Sequence, residues 1–267
     1  MREASNDRPL RRGVWMFPNA PAPRLVGAVI RAEEVGLDEV WIADEGISRE
    51  PMTVLAAAAR ATSRIRLATG ITSPLLRHPG ALAATAATVD ELSGGRFVLG
   101  LGLGGDKSLG PFGISTDRPV GVLRDAIETA RAVLRGEAGP GYEPDAHAMA
   151  APDVPIWVGA RGPQMIRLAA RLADGVFLSG CSPQQHDSIA ANLRSVDAST
   201  AMALYQSASA VSTGPAISSW PEVGEVLAAE ADRLEPQAIG INLIDLIEGG
   251  ADPVEGVERA AEVLHSV

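Results

Sequence analysis

The feature that most constrains this chain is an alternation repeated from start to finish. A short apolar run is followed by a longer segment of helical period, eight times over. The apolar runs are Gly13–Phe17, Glu39–Ala43, Arg66–Gly70, Phe97–Leu101, Pro155–Gly159, Gly175–Ser179, Ala201–Ala210 and Ala238–Ile244. Stretches such as Val40-Trp41-Ile42 and Val98-Leu99-Gly100-Leu101 are apolar without a break, as strands buried on both faces of a parallel sheet must be. The intervening helices are predicted over Pro23–Val35, Glu50–Thr62, Pro79–Leu92, Pro119–Leu134, Pro163–Leu172, Pro183–Val196, Trp220–Leu234 and Pro253–Leu264. Proline opens many of them, at the position where a missing N–H costs nothing. Strict alternation leaves a long doubly wound sheet or a closed cylinder, and a count of eight favours the cylinder. The expected fold is therefore α/β, a single (β/α)8 TIM barrel over residues 12–267, with residues 1–11 as a flexible tail. At 267 residues the chain suits one such barrel, which takes about 250.

Composition narrows the function classes. A net charge of −10 argues against nucleic acid as a main partner, because phosphate backbones demand a basic face. No apolar stretch approaches the roughly 20 residues that cross a membrane, and the polar start of the chain lacks a signal-peptide core. One cysteine, Cys181, rules out an internal disulfide framework and suits a reducing cytoplasm. The histidines, His78, His147, His186 and His265, are scattered without metal-ligand spacing. Lys107 is the sole lysine, so Schiff-base chemistry has only one candidate.

In a barrel of this kind the loops after the strands build the active site. After the second strand, Asp44 and Glu45 can accept hydrogen bonds or exchange protons, although one of them could instead cap the next helix. After the third, Gly70, Ile71 and Thr72 offer close backbone approach and a hydroxyl, with His78 either a site residue or a helix cap. After the fourth, a glycine-rich stretch runs into Asp106 and Lys107; glycines alone mean only a turn, but the charged pair points to ligand contact. The strongest local signal follows the fifth. Gly159-Ala160-Arg161-Gly162 opens directly into a helix carrying Met165 in its first turn. Free amides and the positive end of the helix dipole suit an anion there, and Arg161 could add a charged contact to phosphate. A plain tight turn is the alternative.

Several runs together resemble a known family. They are Ser63–Pro74 (Ser-Arg-Ile-Arg-Leu-Ala-Thr-Gly-Ile-Thr-Ser-Pro), Arg77-His78-Pro79, Asp90–Gly102 (Asp-Glu-Leu-Ser-Gly-Gly-Arg-Phe-Val-Leu-Gly-Leu-Gly), Gly105-Asp106-Lys107, Pro155–Pro163 and Ala173–Val176. They resemble the bacterial luciferase-like monooxygenase superfamily. Within it they are similar to the branch of deazaflavin-dependent methylenetetrahydromethanopterin reductases and their actinobacterial relatives. The likeness runs from about Gly13 onward and weakens after Asn192. It implies reduced coenzyme F420, or alternatively FMN, bound across the barrel mouth. It also implies a non-prolyl cis bond at Gly70-Ile71 and a dimer. Two positions depart from the pattern: Glu45 stands where many relatives have histidine, and Trp15 where the reductase branch has glutamate. The cofactor site can be kept while the reaction differs.

The resulting expectation is an F420-dependent oxidoreductase transferring a hydride to or from a small-molecule substrate. Asp44 and Glu45 would handle protons, and Asp44 would also touch the cofactor. Gly70, Ile71, Thr72, Asp106 and Lys107 would lie along the ring and ribityl chain, while Gly159–Gly162 and Met165 would lie around the phosphate. An FMN-dependent monooxygenase and a non-catalytic flavin-binding barrel are the rival readings. The helices at 50–62 and 79–92 are rich in small apolar residues around most of their circumference, which fits a homodimer interface or simply an alanine-rich composition.

Overall fold

The computed structural model describes residues 9–44, 48–148, 153–207 and 220–267. Among these residues eight parallel strands close into a barrel in sequence order. The strands are β1 (Arg11–Met16), β2 (Glu39–Ile42), β3 (Arg66–Thr69), β4 (Phe97–Leu101), β5 (Ile156–Gly159), β6 (Gly175–Ser179), β7 (Ala201–Ser207) and β8 (Ala238–Asn242). The helices are α1 (Ala22–Glu34), α2 (Pro51–Ala61), α3 (Pro79–Ser93), α4 (Asp106–Leu109), α5 (Pro119–Arg135), α6 (Pro163–Leu172), α7 (Pro183–Arg194), α8 (Trp220–Leu234), α9 (Ile244–Glu248) and α10 (Pro253–Leu264). β1 closes the cylinder against β8, with Trp15 level with Asn242.

Each predicted strand and long helix is present, with ends moved by a residue or a few. Two differences matter. Arg11 was expected in the tail but opens β1, and its side chain reaches Glu39 inside the barrel. The segment after β4, where the glycines indicate a turn, winds on into α4 and a 3-10 turn over Gly110–Phe112. Positions 208–210 of the seventh predicted strand lie outside the described residues.

Residues along each strand alternate between two cores. Val40, Ile42, Leu67, Leu99, Val158, Val176, Leu204 and Ile241 pack outward against the helices in one continuous apolar layer. Trp41, Ala68, Val98, Trp157, Phe177, Ala203 and Tyr205 point inward and fill the cylinder. Trp41 stacks on Phe177 with ring centroids 4.5 Å apart, and Phe177 lies 5.0 Å from Tyr205. The interior is thus an aromatic plug, a packed core rather than a channel.

Local chemistry sets the helix ends. Prolines 51, 79, 119, 163, 183 and 253 each open a helix. Ser182 and Gln185 form a reciprocal capping box on α7. α3 stops at Gly94, whose φ of 73° lies in the left-handed region that glycine enters without penalty.

Candidate functional site

The strand ends converge on a cleft of about 340 Å³. Trp15 of β1, Gly70 and Ile71 after β3, Leu103 to Gly105 after β4, Gly159 to Arg161 at the end of β5, and Phe177 and Ser179 of β6 line it. Leu123 of α5 and Met165 of α6 complete the wall.

The platform of this cleft is the bend after β3. The Gly70-Ile71 peptide is cis, as the resemblance implied. The bend is pinned on all sides by backbone bonds. Gly70 N–H donates to Ile42 O at 2.7 Å, Asp44 N–H to Ile71 O at 3.0 Å, and Thr72 N–H to Gly100 O at 2.8 Å. The Ile71 side chain lies between the neighbouring strand ends so closely that only glycine fits beside it. A Cβ on Gly102 would come 2.7 Å from Ile71 Cδ1, and one on Gly159 would come 2.8 Å from Ile71 Cγ2. The Trp15 indole N–H donates to the Gly70 carbonyl, which fixes the ring against the platform.

Across the cleft lies the polar end. Gly162 starts α6 without any side-chain cap, and Ile166 N–H is the first to bond back, to Gly162 O at 3.0 Å. The amides of the first helical turn are therefore open to an external acceptor. A Cβ at Gly162 would meet nothing within 4 Å, so this turn faces free space. The Ser179 hydroxyl is buried and has no hydrogen-bond partner among the described residues. Arg161 is held over this end by a 2.7 Å bond from Nη2 to the Ser179 carbonyl. An uncapped helix start and a guanidinium beside it, tied to the strand that carries the unpartnered Ser179 hydroxyl, suit an anion.

A charged network stands behind the platform. Asp44 Oδ2 accepts from the Thr72 hydroxyl at 2.6 Å and from Arg77 Nη2 at 2.8 Å. Arg77 reaches on through Nη1 to Glu50 Oε1 at 2.8 Å. Glu50 caps α2, accepting from Met52 N–H and Thr53 N–H. Burial alone would raise the Glu50 pKa; hydrogen bonds from Thr53, Arg77 and the Met52 amide outweigh it and hold the carboxyl below its ordinary range.

Of the residues singled out in the sequence, Gly70, Ile71, Gly159, Ala160, Arg161 and Met165 line the cleft together. Gly162 borders it as the α6 cap. Asp44 and Thr72 do not line it; they hold each other behind the platform. Glu45 lies outside the described residues, as do the side chains of Asp106 and Lys107, whose backbone begins α4 on the rim. His78 caps α3, its Nδ1 accepting from Gly80 N–H at 3.1 Å. The helix-capping alternative for the acidic pair falls instead to Glu50, a few residues on. Cys181 is buried and unpaired.

From the sequence, Ser179 is visible only as part of a small polar run after the sixth strand and Trp15 only as a departure, while Phe177, Leu103 and Leu123 carry no site signal of their own. Trp15, Phe177 and Ser179 share the inward phase of their strands near the mouth. That parity was the available signal.

The fold and this cleft define a (β/α)8 barrel with a cleft at the C-terminal ends of its strands, bordered by an apolar platform and by the start of α6. The luciferase-like monooxygenase family model matches residues 9–218, and the chain belongs to that family. A 5,10-methylenetetrahydromethanopterin reductase of Methanolobus tindarius is 34% identical over 181 residues, covering 66% of this chain and 56% of the relative. An F420-dependent glucose-6-phosphate dehydrogenase of Beutenbergia cavernae is 35% identical over 186 residues, covering 62% of this chain and 55% of the relative. The chain thus spans a little over half the length of these relatives in sequence. The structure of the coenzyme F420 dependent tetrahydromethanopterin reductase of Methanopyrus kandleri shares the fold with a TM-score of 0.74 at 19% identity, covering 96% of this chain and 99% of that one.

Proposed function

We propose that this protein is an F420-dependent oxidoreductase acting on a small organic substrate. The observation that carries the reading is the uncapped start of α6 with Arg161 and Ser179 beside it, in a cleft whose platform is the Gly70-Ile71 bend. Two sequence relatives above 30% identity support the same chemistry, one named as F420-dependent and the other as a methylenetetrahydromethanopterin reductase. The cleft's residues fit such a cofactor. A phosphate finds open amides and an unpaired hydroxyl at one end, and a planar ring finds an apolar platform at the other.

When bound, a deazaflavin supplies or accepts the hydride, and the protein contributes position and electrostatics. In this reading the Gly159–Gly162 backbone, Arg161 and Ser179 hold the phosphate. Ile71 backs the ring, and Trp15 and Phe177 wall it. On sequence grounds Asp44 and Glu45 are the carboxylates proposed to handle protons, and Asp106 and Lys107 to approach the ribityl chain. From geometry, Asp44 also positions the platform, because Thr72 and Arg77 both donate to its Oδ2.

Titration with F420 and with FMN tests the reading. Saturable F420 binding with weaker FMN binding is expected; binding of neither at tens of micromolar overturns it. Oxygen uptake driven by reduced FMN would instead favour a monooxygenase.

We also propose a homodimer through α2 and α3. The outward face of α3 exposes Ala81, Thr85, Thr88 and Leu92. The two threonine hydroxyls turn back to the Ala81 and Ala84 carbonyls, which leaves their methyl groups outward. Light scattering at twice the monomer mass would support this, and a monomer at high micromolar concentration would exclude it. No described helix is long and apolar enough to cross a membrane. A buried, unpaired Cys181 is in keeping with the cytoplasmic location we assign.

A further inference from the structure

We infer that Trp15 selects the substrate: it reserves the side of the cleft next to β1 for an uncharged, flat, apolar carbonyl compound and excludes ionic or phosphorylated ones. The inference rests on the hydride-transfer reading above and names the substrate class for that same site.

The argument begins with what Trp15 can offer. An indole has one polar atom, its N–H donor. Here that donor is spent on the Gly70 carbonyl, so the ring presents only its apolar surface to the cleft. It cannot swing aside easily. Phe17 meets it edge-on with centroids 5.5 Å apart, and Phe177 does the same at 5.6 Å.

The surroundings repeat the pattern. Phe17 at the end of β1, Ala43 at the end of β2 and Ile244 after β8 form a separate buried apolar cluster, and Trp15 packs against it. These described side chains around Trp15 give it an apolar setting. The cleft's polar groups lie on the other side, at the ends of β5 and β6. Among the described residues lining the cleft, the single ionisable side chain is Arg161, and it belongs to that anion end. A charged group placed against Trp15 would lose its water and gain no partner, which is costly. A planar apolar body would lose little and gain stacking contact.

Hydride chemistry then narrows the class. An acceptor needs a polarised carbonyl or a double bond conjugated to one. In the forward direction, with a reduced deazaflavin bound, the acceptor would gain a hydride at carbon and one proton, drawn from solvent by way of the carboxylates proposed above. It leaves as the alcohol or the saturated ketone, with the deazaflavin oxidised. The reverse direction takes the corresponding uncharged alcohol.

The test uses 4-phenyl-3-buten-2-one, a flat aryl enone, against glucose 6-phosphate as the ionic probe. Binding is followed by saturation-transfer NMR and tryptophan fluorescence, with and without saturating F420. The wild-type protein should bind the enone at least tenfold more tightly than the sugar phosphate. Trp15→Glu should weaken enone binding at least tenfold, both with and without saturating F420. Trp15→Phe keeps an apolar wall and should stay within about threefold of wild type. Circular dichroism confirms that each variant is folded. Equal affinity for the two probes in the wild type, or unchanged enone binding in folded Trp15→Glu, overturns the inference. Selective enone binding without any F420 binding would sink the cofactor reading and leave the role of Trp15 standing, so the two failures are distinguishable.

Discussion

The two ends of this barrel treat their buried polar groups in opposite ways. Where the strands begin, Glu39 is fully buried, yet both its oxygens are engaged. Oε2 takes Arg11 Nε at 2.9 Å and lies 3.6 Å from Arg66; Oε1 accepts from Trp41 Nε1 at 2.7 Å and from the Tyr205 hydroxyl at 2.8 Å. Burial would raise its pKa, but the charges of Arg11 and Arg66 and the indole hydrogen bond bring it below the ordinary carboxylate range. The same burial, with Glu39 alongside, pushes the Tyr205 phenol well up. Where the strands end, the Ser179 hydroxyl is equally hidden and has no partner among the described residues, and α6 starts uncapped. A closed polar cluster holds the fold together. An open one costs stability and is kept where a ligand completes it.

The strongest way to break this comparison is at the base. Glu39→Ala leaves Arg11 and Arg66 without their buried counter-charge and should cost about 3–5 kcal/mol. Urea unfolding would show a lower midpoint, while F420 affinity in the folded fraction stays the same. A loss of F420 affinity with unchanged stability would reverse the assignment of the two ends.

His186 belongs to a second buried polar cluster, between α7 and α8, although its Nε2 has no partner among the described residues. Its Nδ1 lies 2.6 Å from Glu230 Oε1, and Arg233 stands 3.9 Å from the same oxygen. Burial pushes the imidazole down, but hydrogen bonding with Cys181 and Glu230 and their charge outweigh it, raising the pKa from 6.5 to about 9. The folded value exceeds the unfolded one, so this stabilisation is complete below pH 6.5 and is lost as pH rises through about 9. At about 1.4 kcal/mol per pKa unit it is on the order of 3 kcal/mol. Unfolding midpoints compared at pH 6.5 and 9.5 should fall in the wild type and stay nearly level in His186→Gln. Parallel falls in both proteins would remove His186 as the cause.

At the mouth the signs invert. Ser179→Ala deletes an unpartnered hydroxyl, so melting temperature should hold or rise slightly. If that hydroxyl donates to a phosphate, affinity for F420 should drop by about 1.5–3 kcal/mol, roughly tenfold to over a hundredfold. A destabilised variant with intact affinity would place Ser179 with the closed groups.

The smallest effect belongs to the network between the regions. Glu50→Ala removes the α2 cap and one partner of Arg77, and should cost about 1 kcal/mol in thermal stability. F420 affinity should change little, because Asp44 still holds Thr72 and Arg77.

How much of the site could be read in advance depends on how far apart its parts lie in the chain. The α6 cradle was legible because Gly159-Ala160-Arg161-Gly162-Pro163 is contiguous and a helix start is a local event. The partner of Asp44 was not, since Arg77 sits on the next loop but one and nothing local to either residue announces the pairing. Glu39 looked like one acidic residue at the head of an apolar run. Only closure of the cylinder shows that it faces Tyr205 from the far side. Trp15 was visible as an unusual residue, but its hydrogen bond to the Gly70 carbonyl depends on the bend that follows β3.

Sequence alone determined the eightfold strand–helix rhythm, the proline-led helix starts and the glycine stop after α3. These follow from the preferences of neighbouring residues and from apolar periodicity, which act over a few positions. Tertiary structure decided which strand-end side chains meet, because that depends on register. Once β8 closes on β1 with Trp15 beside Asn242, inward parity is set around the whole ring. That closure places Trp15, Phe177 and Ser179 around one cleft and sends Glu39 to the opposite end, by a constraint that no short stretch of chain contains.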